Sequence, residues 1–175
     1  KREVRKDGAD IAGHLTGSIV RSTTVEPLYL VSFIEDITTR REAQQEANRS
    51  FSLLRATLES TADGILVVDL KGKILSFNQK MSDMWGIAPE VFASSDEEAA
   101  ISAALAKLVH PEDFMAKVMG LYSNPEVASY DVLELKDGRI FERYSQPQRI
   151  GEAAVGRVWS FRDVTARRRA DEQAL

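Results

Sequence analysis

Two short apolar runs near the middle of the chain flank a glycine-containing turn. Residues 65–69 and 73–77 are mostly apolar and are separated by a segment that contains Lys71 and Gly72. Runs of this length joined by a tight glycine turn are typical of a β-hairpin. The pattern therefore predicts two antiparallel strands at the start of a folded module.

Helical spacing of apolar residues follows this predicted hairpin. Proline is common at the first position of a helix, and acidic residues are common in the first turn. Pro89 and Pro111 are each followed directly by an acidic residue, which predicts a helix start at both. Residues 94–98 supply cap candidates for an Ala- and Leu-rich stretch. The predicted helical segments are 78–85, one that starts at 88–90, 94–108 and 110–121.

Strand-like sequence returns after residues 124–125. Residues 127–135, 139–146 and 155–164 are rich in β-formers, and the turn at 136–138 joins the first two. The order of elements is then strand, strand, helices, strand, strand, strand. This order predicts an α+β module.

The last predicted strand is apolar on both faces. Val158 and Ser160 point to one face, whereas Trp159 and Phe161 point to the other. Both faces of such a sheet need cover, one from the module's own helices and the other from a flanking helix or a partner subunit. A shift of one residue in register would reverse the faces, so the pattern leaves open which of them is inward.

The chain repeats part of itself. Residues 33–41 are similar in sequence to residues 160–168, and the matching Thr38 and Thr165 are 127 positions apart. The Lys-Asp-Gly sequence of residues 6–8 also occurs at residues 136–138. No counterpart of residues 51–135 precedes the first copy. We therefore expect that the first copy contains only the C-terminal strands of a module whose second copy is complete.

This repeat predicts four segments. They are the last strands of a truncated first module at 1–38, a linker helix at 39–60, a complete module at 61–165 and the start of an outgoing helix at 166–175.

Each copy ends with an Asp-x-Thr sequence at the change from strand to helix. The hydroxyl of the threonine is expected to accept a backbone N–H that is left free in the first helical turn. The aspartate two residues earlier is expected to pair with an arginine of the helix, and a plain cap with a solvated ion pair is the alternative. The predicted relay residues are Asp36, Thr38, Arg41 (or its neighbour Arg40), Asp163, Thr165 and Arg168 (or its neighbour Arg167).

The linker helix carries an apolar seam. Ala47, Phe51, Leu54 and Leu58 are spaced by four, three and four residues, which is a coiled-coil spacing. The seam is about two heptads long, so a single packed amphipathic helix is the alternative. We expect these residues to pair two chains into a homodimer.

Composition and charge exclude several classes of function. The chain has a net charge of -4 and no cysteine, which argues against binding to nucleic acid and excludes disulfides, Cys-ligated metals and thiol catalysis. Its apolar runs fall far short of the roughly 20 residues that span a bilayer. Residue 1 opens no signal-peptide pattern. We therefore expect a cytoplasmic protein without membrane contact in this segment.

The chain also lacks an evident catalytic or metal constellation. Its two histidines, His14 and His110, lie in different predicted modules, so neither a metal site nor a haem is expected. His110 is expected to cap the helix that starts at Pro111. There is no phosphate loop of the Walker type and no nucleophile elbow, so a catalytic site is not expected.

These features together resemble the bacterial PAS domain family. The resemblance rests on the element order, His110-Pro111-Glu112-Asp113, Lys136-Asp137-Gly138 and the repeated ending at residues 161–167. It implies a five-stranded antiparallel sheet with helices on one face, flanked by signalling helices. It also implies a sensory and dimerisation module upstream of a histidine kinase, a diguanylate cyclase or a phosphodiesterase in the same polypeptide.

The resemblance further implies a ligand pocket between the inner face of the sheet and the helices. Candidate lining residues are Phe77, Met81, Trp85, Arg143 and Trp159, with a plain apolar core as the alternative. An inward Arg143 would need an anion, either a protein carboxylate or a bound acid, and a solvent-facing side chain is the favoured orientation. No cofactor is required by the sequence: the absence of cysteine excludes a flavin–cysteine adduct and leaves non-covalent flavin open.

The sequence therefore favours a PAS module that senses a small molecule or relays a signal through its flanking helices. A ligand-free dimerisation spacer is the first alternative. A small α+β enzyme is a remote one.

Overall fold

The computed structural model describes residues 2–4, 8, 10–21, 26–94 and 97–174. The chain divides into two compact units, Lys1–Arg55 and Ala56–Leu175. One helix, α1 (Thr38–Glu59), crosses the boundary between them, and none of its described residues is buried.

The first unit contains a three-stranded antiparallel sheet in the order β1-β2-β3. Its strands are β1 (Arg2–Val4), β2 (Asp10–Arg21) and β3 (Pro27–Asp36). Leu15 pairs with Ile34 across β2 and β3, and about half of each side chain is exposed (50% and 52%). Three strands at this place agree with the expected ending of a truncated module, whose assignment to a preceding domain stays a prediction. Lys6 and Asp7 of the repeated turn lie outside the described residues.

The second unit is an α+β domain with a five-stranded antiparallel sheet, as predicted. The sheet has the order β5-β4-β8-β7-β6, so the last strand of the chain lies in its centre. The elements are β4 (Gly64–Asp69), β5 (Ile74–Phe77), α2 (Gln79–Trp85), α3 (Pro89–Ala93), α4 (Glu97–Leu105), α5 (Pro111–Ser123), β6 (Ser129–Glu134), β7 (Ile140–Ile150), β8 (Ala153–Asp163) and α6 (Thr165–Gln173).

The β4–β5 hairpin is held by its own turn residues. Oδ1 of Asp69 accepts hydrogen bonds from the backbone N–H groups of Lys71 (2.8 Å) and Lys73 (3.0 Å). Gly72 adopts φ +91°, a conformation that costs a residue with a Cβ. The predicted hairpin is confirmed, and its turn is set by Asp69 as well as by the glycine.

Asn78 joins three elements where α2 begins. Its Oδ1 accepts from the N–H of Met81 (3.0 Å) and of Ile65 (2.8 Å). Its Nδ2 donates to the carbonyls of Leu58 (3.0 Å) and Asp63 (2.9 Å). The side chain is fully buried, so the end of α1, strand β4 and helix α2 share one satisfied polar centre.

Two details of the predicted helices are wrong. Helix α4 ends at Leu105 and not at Leu108, because Leu108 pairs with Leu135 next to β6. His110 stands at the N-cap position of α5, but its side chain makes no capping hydrogen bond. Ser94 is described, whereas the cap candidates Ser95 and Asp96 lie outside the described residues.

The core lies between the helices and the inner face of the sheet. Trp85 is fully buried, and its ring meets those of Phe161 (5.2 Å, 90°) and Phe141 (5.5 Å, 82°) edge to face, a favourable aromatic geometry. The face that carries Trp159 and Phe161 is therefore the inner one. The outer face leaves Tyr130 and Tyr144 exposed, with their ring centres 4.8 Å apart and their planes tilted by 47°.

Candidate functional site

A cavity of about 60 Å³ lies within the second unit, between the sheet and the helices. We call it the inner cavity. Three of the five predicted pocket residues, Met81, Trp85 and Trp159, line it, whereas Phe77 and Arg143 do not. Its lining residues are Leu66, Val68, Gly72, Ile74, Met81, Trp85, Ile87, Phe92, Glu97, Ala100, Ile101, Ala104, Phe114, Val118, Tyr122, Trp159 and Phe161.

The size of the inner cavity limits what it holds in this conformation. One water molecule needs about 10–15 Å³ of such space, and an engineered apolar cavity of about 150 Å³ binds benzene. The inner cavity therefore has room for a molecule of a few heavy atoms. A larger ligand would require the lining side chains to move.

Few polar groups face the inner cavity. The hydroxyl of Tyr122 donates to Oε1 of Glu97 at 3.2 Å, and burial, together with the nearby Glu97 carboxylate, raises the pKa of Tyr122 well above its usual value. Tyr122 is therefore neutral at pH 7. Nε1 of the fully buried Trp85 has no hydrogen-bond acceptor among the described residues. A wall of mainly apolar side chains suits a compact neutral molecule.

Gly72 shapes the side of the inner cavity next to the β4–β5 hairpin. It is buried, and a Cβ built on it would collide with the carboxylate of Glu97. The carboxylate of Glu97 thus packs directly over the backbone of the turn and also accepts the hydrogen bond from the hydroxyl of Tyr122. Any side chain at position 72 would displace this carboxylate.

Arg143 is buried and not solvent-facing, so the favoured orientation was wrong. Its side chain is 1% exposed, and Nε donates to Oδ1 of Asp131 at 2.8 Å while Nη2 donates to Oδ2. The guanidinium lies 4.4 Å from the ring centre of Phe114 and 5.3 Å from that of Trp159. A protein carboxylate supplies the anion that an inward arginine needs, so no bound acid is required.

A second buried arginine was missed by the sequence reasoning. Arg157 is 2% exposed, and its Nη2 donates to the carbonyls of Val127 (2.9 Å) and Pro125 (3.0 Å), while Nη1 donates to Oγ of Ser145 (2.8 Å). Burial lowers the pKa of Arg157. The sequence did contain a sign of this burial: Arg157 stands two residues before Trp159 in a strand, and residues at this spacing lie on the same face of the sheet.

The predicted relay residues meet where β8 passes into α6. Oδ1 of Asp163 accepts from both the backbone N–H (2.9 Å) and the hydroxyl of Thr165. Oγ1 of Thr165 accepts from the N–H of Ile140 at 2.9 Å, and the carbonyl of Ile140 accepts from the N–H of Val164 at 3.0 Å. The start of α6 is thereby fastened to β7.

The same arrangement occurs in the first unit. Oδ1 of Asp36 accepts from the N–H (3.0 Å) and hydroxyl (2.6 Å) of Thr38, and Oγ1 of Thr38 accepts from the N–H of Ala12 at 2.9 Å. The N–H of Ile37 donates to the carbonyl of Ala12 at 2.9 Å. The sequence repeat is therefore also a repeat of hydrogen bonding.

The expected role of the threonines as caps was wrong. The carboxylates of Asp36 and Asp163 accept the first helical N–H, whereas each threonine hydroxyl accepts from a neighbouring strand. Among the described residues no arginine lies within ion-pair distance of Asp163, so the expected pair with Arg167 or Arg168 is not formed. The backbone N–H groups of Arg41 and Arg168 instead donate to the carbonyls of Ile37 and Val164, both at 2.9 Å, in the first turn of each helix.

The predicted dimer seam lies on α1. Phe51 and Leu54 are each 67% exposed, Ala47 is exposed and Leu58 is half-buried. The pairing of two chains along this seam stays a prediction.

The described part of the chain holds no group of three or more His, Asp or Glu side chains that could bind a metal ion. None of its helices is long and apolar enough to cross a bilayer.

Comparison with known proteins gives a family match. A family profile described as the PAS fold matches residues 58–172, which is most of the chain. Among solved structures, the PAS domain of BvgS from Bordetella pertussis superposes with a TM-score of 0.51 at 14% identity, over 73% of this chain and 99% of that one. A PAS domain from Colwellia psychrerythraea gives a TM-score of 0.43 at 22% identity, over 66% and 98%.

One curated relative is a much longer protein. The chain is 29% identical over 91 residues to the probable diguanylate cyclase DgcE of Escherichia coli (strain K12). The match covers 52% of this chain but only 8% of that protein. The similarity is thus confined to one small part of the relative.

Proposed function

The chain belongs to the PAS fold family, and on that premise we propose that it is the sensory module of a multidomain signalling protein. A small neutral molecule enters the inner cavity, and the resulting change in packing shifts helix α6. That helix leads to an output domain in the same polypeptide. A histidine kinase or a cyclase or phosphodiesterase of cyclic di-GMP is the kind of output we propose, in a bacterial cytoplasmic protein.

One observation carries the proposal: Trp85 both lines the inner cavity and packs against the sheet that holds α6. Its ring contacts Phe141 and Phe161 edge to face. Phe141 follows Ile140, whose backbone N–H and C=O both bond to the start of α6. A ligand that moves Trp85 therefore moves the strands to which α6 is fastened, because packed cores respond to volume changes by discrete shifts.

We propose that the ligand is compact, neutral and largely apolar. Glu97 and Tyr122 are the only described lining residues of the cavity with a carboxyl or hydroxyl group. Glu97 is already engaged by the Tyr122 hydroxyl. An anionic ligand would face the Glu97 carboxylate without a cationic partner in the cavity wall, which is unfavourable.

We further propose that two chains pair through α1. Phe51 and Leu54 are two-thirds exposed on one stripe of that helix, and apolar residues at heptad spacing are buried by a second helix. Leu15 and Ile34 of the first unit are also exposed and paired on one face of its sheet. An apolar sheet face of this kind is normally covered by helices or by a second chain.

Native mass spectrometry of the purified chain tests the proposal. A dimer that retains a defined small molecule supports a sensor with its ligand bound. A monomer would contradict the proposed pairing through α1.

The second candidate function is a ligand-free dimerisation spacer. The small volume of the inner cavity favours it, because about 60 Å³ leaves little room for a ligand. In that case the dimer carries no added mass.

A further inference from the structure

The turn between β6 and β7 contacts both the helix that lines the cavity and the helix that leaves the domain. It lies between Glu134 of β6 and Ile140 of β7 and includes Asp137, Gly138 and Arg139. Arg139 belongs neither to the sequence repeat nor to the predicted relay residues. Its contacts join the two ends of the proposed relay.

On one side, Arg139 binds the end of helix α2. Nη1 of Arg139 donates to the backbone carbonyl of Met84. Met84 lies in the last turn of α2, where carbonyls lack a partner within the helix, and a cation is favourable at that end of a helix. Because Met81 and Trp85 flank this carbonyl in the same short helix and line the inner cavity, a movement of α2 displaces the acceptor of Arg139.

The guanidinium is held in a fixed place. Nε of Arg139 donates to Oδ2 of Asp137 at 2.9 Å, and the backbone N–H donates to Oδ1 of the same carboxylate at 3.1 Å. The guanidinium also lies 5.1 Å from the ring centre of Phe141, a cation–π distance. Arg139 is therefore bonded at once to α2 and to the carboxylate of its own turn.

On the other side, the residues next to Arg139 bind α6. The N–H of Ile140 donates to Oγ1 of Thr165 at 2.9 Å. Nη2 of Arg169 donates to the carbonyl of Gly138 at 3.1 Å. The first residue of β7 is thus bonded to the first residue of α6, and the turn itself is bonded to Arg169, one helical turn further along.

The first unit shows that the junction forms without an arginine. There Ala12 takes the place of Ile140, and its backbone makes the same two bonds to Ile37 and Thr38. The residue before Ala12 is Ile11 and not an arginine. The fastening of strand to helix therefore does not need Arg139, whose contact with α2 is an addition found in the complete domain.

We propose that Arg139 is the positioning residue that couples the cavity-lining helix α2 to the outgoing helix α6. The inference rests on the proposed sensory function and names the residue through which the change in packing travels. It concerns coupling within the second unit and does not depend on the identity of the ligand.

Amide hydrogen exchange of the 175-residue chain tests the coupling. The perturbation is Met81→Ala, which removes side-chain atoms from the cavity wall on α2. The first readout is the amide of Arg168, whose N–H donates to Val164 at the start of α6. The second is the amide of Val68, which reports on the cavity itself.

In the otherwise native chain, Met81→Ala should change the protection of both amides, by at least about fivefold at Arg168, the lower end of typical coupling. In an Arg139→Met background the response at Val68 should persist and that at Arg168 should disappear. Arg162→Met, which removes a surface arginine paired with Asp63 on the same sheet, should leave both responses intact.

Equal responses at Arg168 with and without Arg139, or no response at Arg168 in the native background, would overturn the coupling role. If Met81→Ala fails to fold, Met81→Val replaces it, because it also removes side-chain atoms from the cavity wall but leaves a smaller void. Failure of the coupling is distinct from failure of the proposed function. Retention of a ligand and dimerisation are read by mass and do not involve Arg139.

Discussion

Thr165 accepts a hydrogen bond from the backbone N–H of Ile140 at 2.9 Å, across 25 residues of sequence. The hydroxyl of the first residue of α6 thereby accepts a hydrogen bond from the neighbouring strand and not from its own helix. Thr38 makes the equivalent bond to Ala12, also at 2.9 Å. In each unit the threonine hydroxyl therefore joins the position of a strand to the start of a helix.

Removing this hydroxyl should weaken the junction. Thr165→Val keeps the branched shape but leaves the partly buried N–H of Ile140 without its acceptor, which costs about 1–3 kcal/mol of unfolding free energy. Thr165→Ser retains the hydroxyl and should cost less. Urea unfolding measures both, and equal stability of the Val variant and the native protein would show that the bond contributes nothing.

The ion pair of Arg143 should be far more sensitive than an exposed one. Asp131→Ala leaves the guanidinium, 1% exposed, without its anion and should cost about 3–5 kcal/mol of unfolding free energy. Asp63→Ala, which breaks the pair with Arg162 (57% exposed), is the control and should cost under about 1 kcal/mol. Similar losses in the two variants on denaturant unfolding would contradict the burial of Arg143.

Much of this architecture is readable from local patterns. The alternation in β8 separates Trp159 from Val158, and the glycine turn marks the first hairpin. What local pattern does not reveal is the partner of a polar group across the fold. Arg143 was expected in solvent because Asp131 is on another strand, and the acceptor of the Ile140 N–H was missed because it lies 25 residues away.

The carboxyl group of Asp137 should report on Arg139. Hydrogen bonds from the side chain and backbone of Arg139 hold the pKa of Asp137 below its ordinary value. Since the folded pKa is the lower one, the stabilisation is complete above the unfolded pKa, about 3.9, and is lost as the pH falls through the folded value.

NMR titration of the Asp137 carboxyl carbon measures this shift. Arg139→Met should raise the pKa of Asp137 towards its ordinary value, because the side-chain donor is gone. Arg162→Met should leave it unchanged. An unaltered titration in the Arg139 variant would mean that the contact with Asp137 does not persist in solution.

Filling the inner cavity should stabilise the ligand-free domain. Ala100 lines the cavity and is buried, while Ala99, its neighbour on α4, is exposed. Ala100→Val should therefore be more stable than Ala99→Val by roughly 0.5–2 kcal/mol, the usual range for cavity filling. Both changes carry the same cost in helix propensity. Thermal unfolding compares the stabilities of the two variants. An Ala100→Val protein less stable than Ala99→Val would mean that the cavity cannot accept the added methyl groups.

The seam on α1 should control association. Leu54→Glu places a charge in the seam and should convert a dimer into a monomer, as read by sedimentation. Gln45→Glu adds the same charge to α1 at a residue outside the predicted seam and should leave the dimer intact. A dimer that survives Leu54→Glu would assign the interface to another surface.

The central claim is that occupation of the inner cavity is transmitted to α6, and NMR of the labelled chain under xenon pressure tests it most directly. Xenon enters apolar cavities without a specific polar contact. We predict saturable shifts of the Trp85 indole N–H and of the Arg168 amide with the same dependence on xenon pressure. A shift of the Trp85 signal alone, or no saturable shift at either site, would contradict the account.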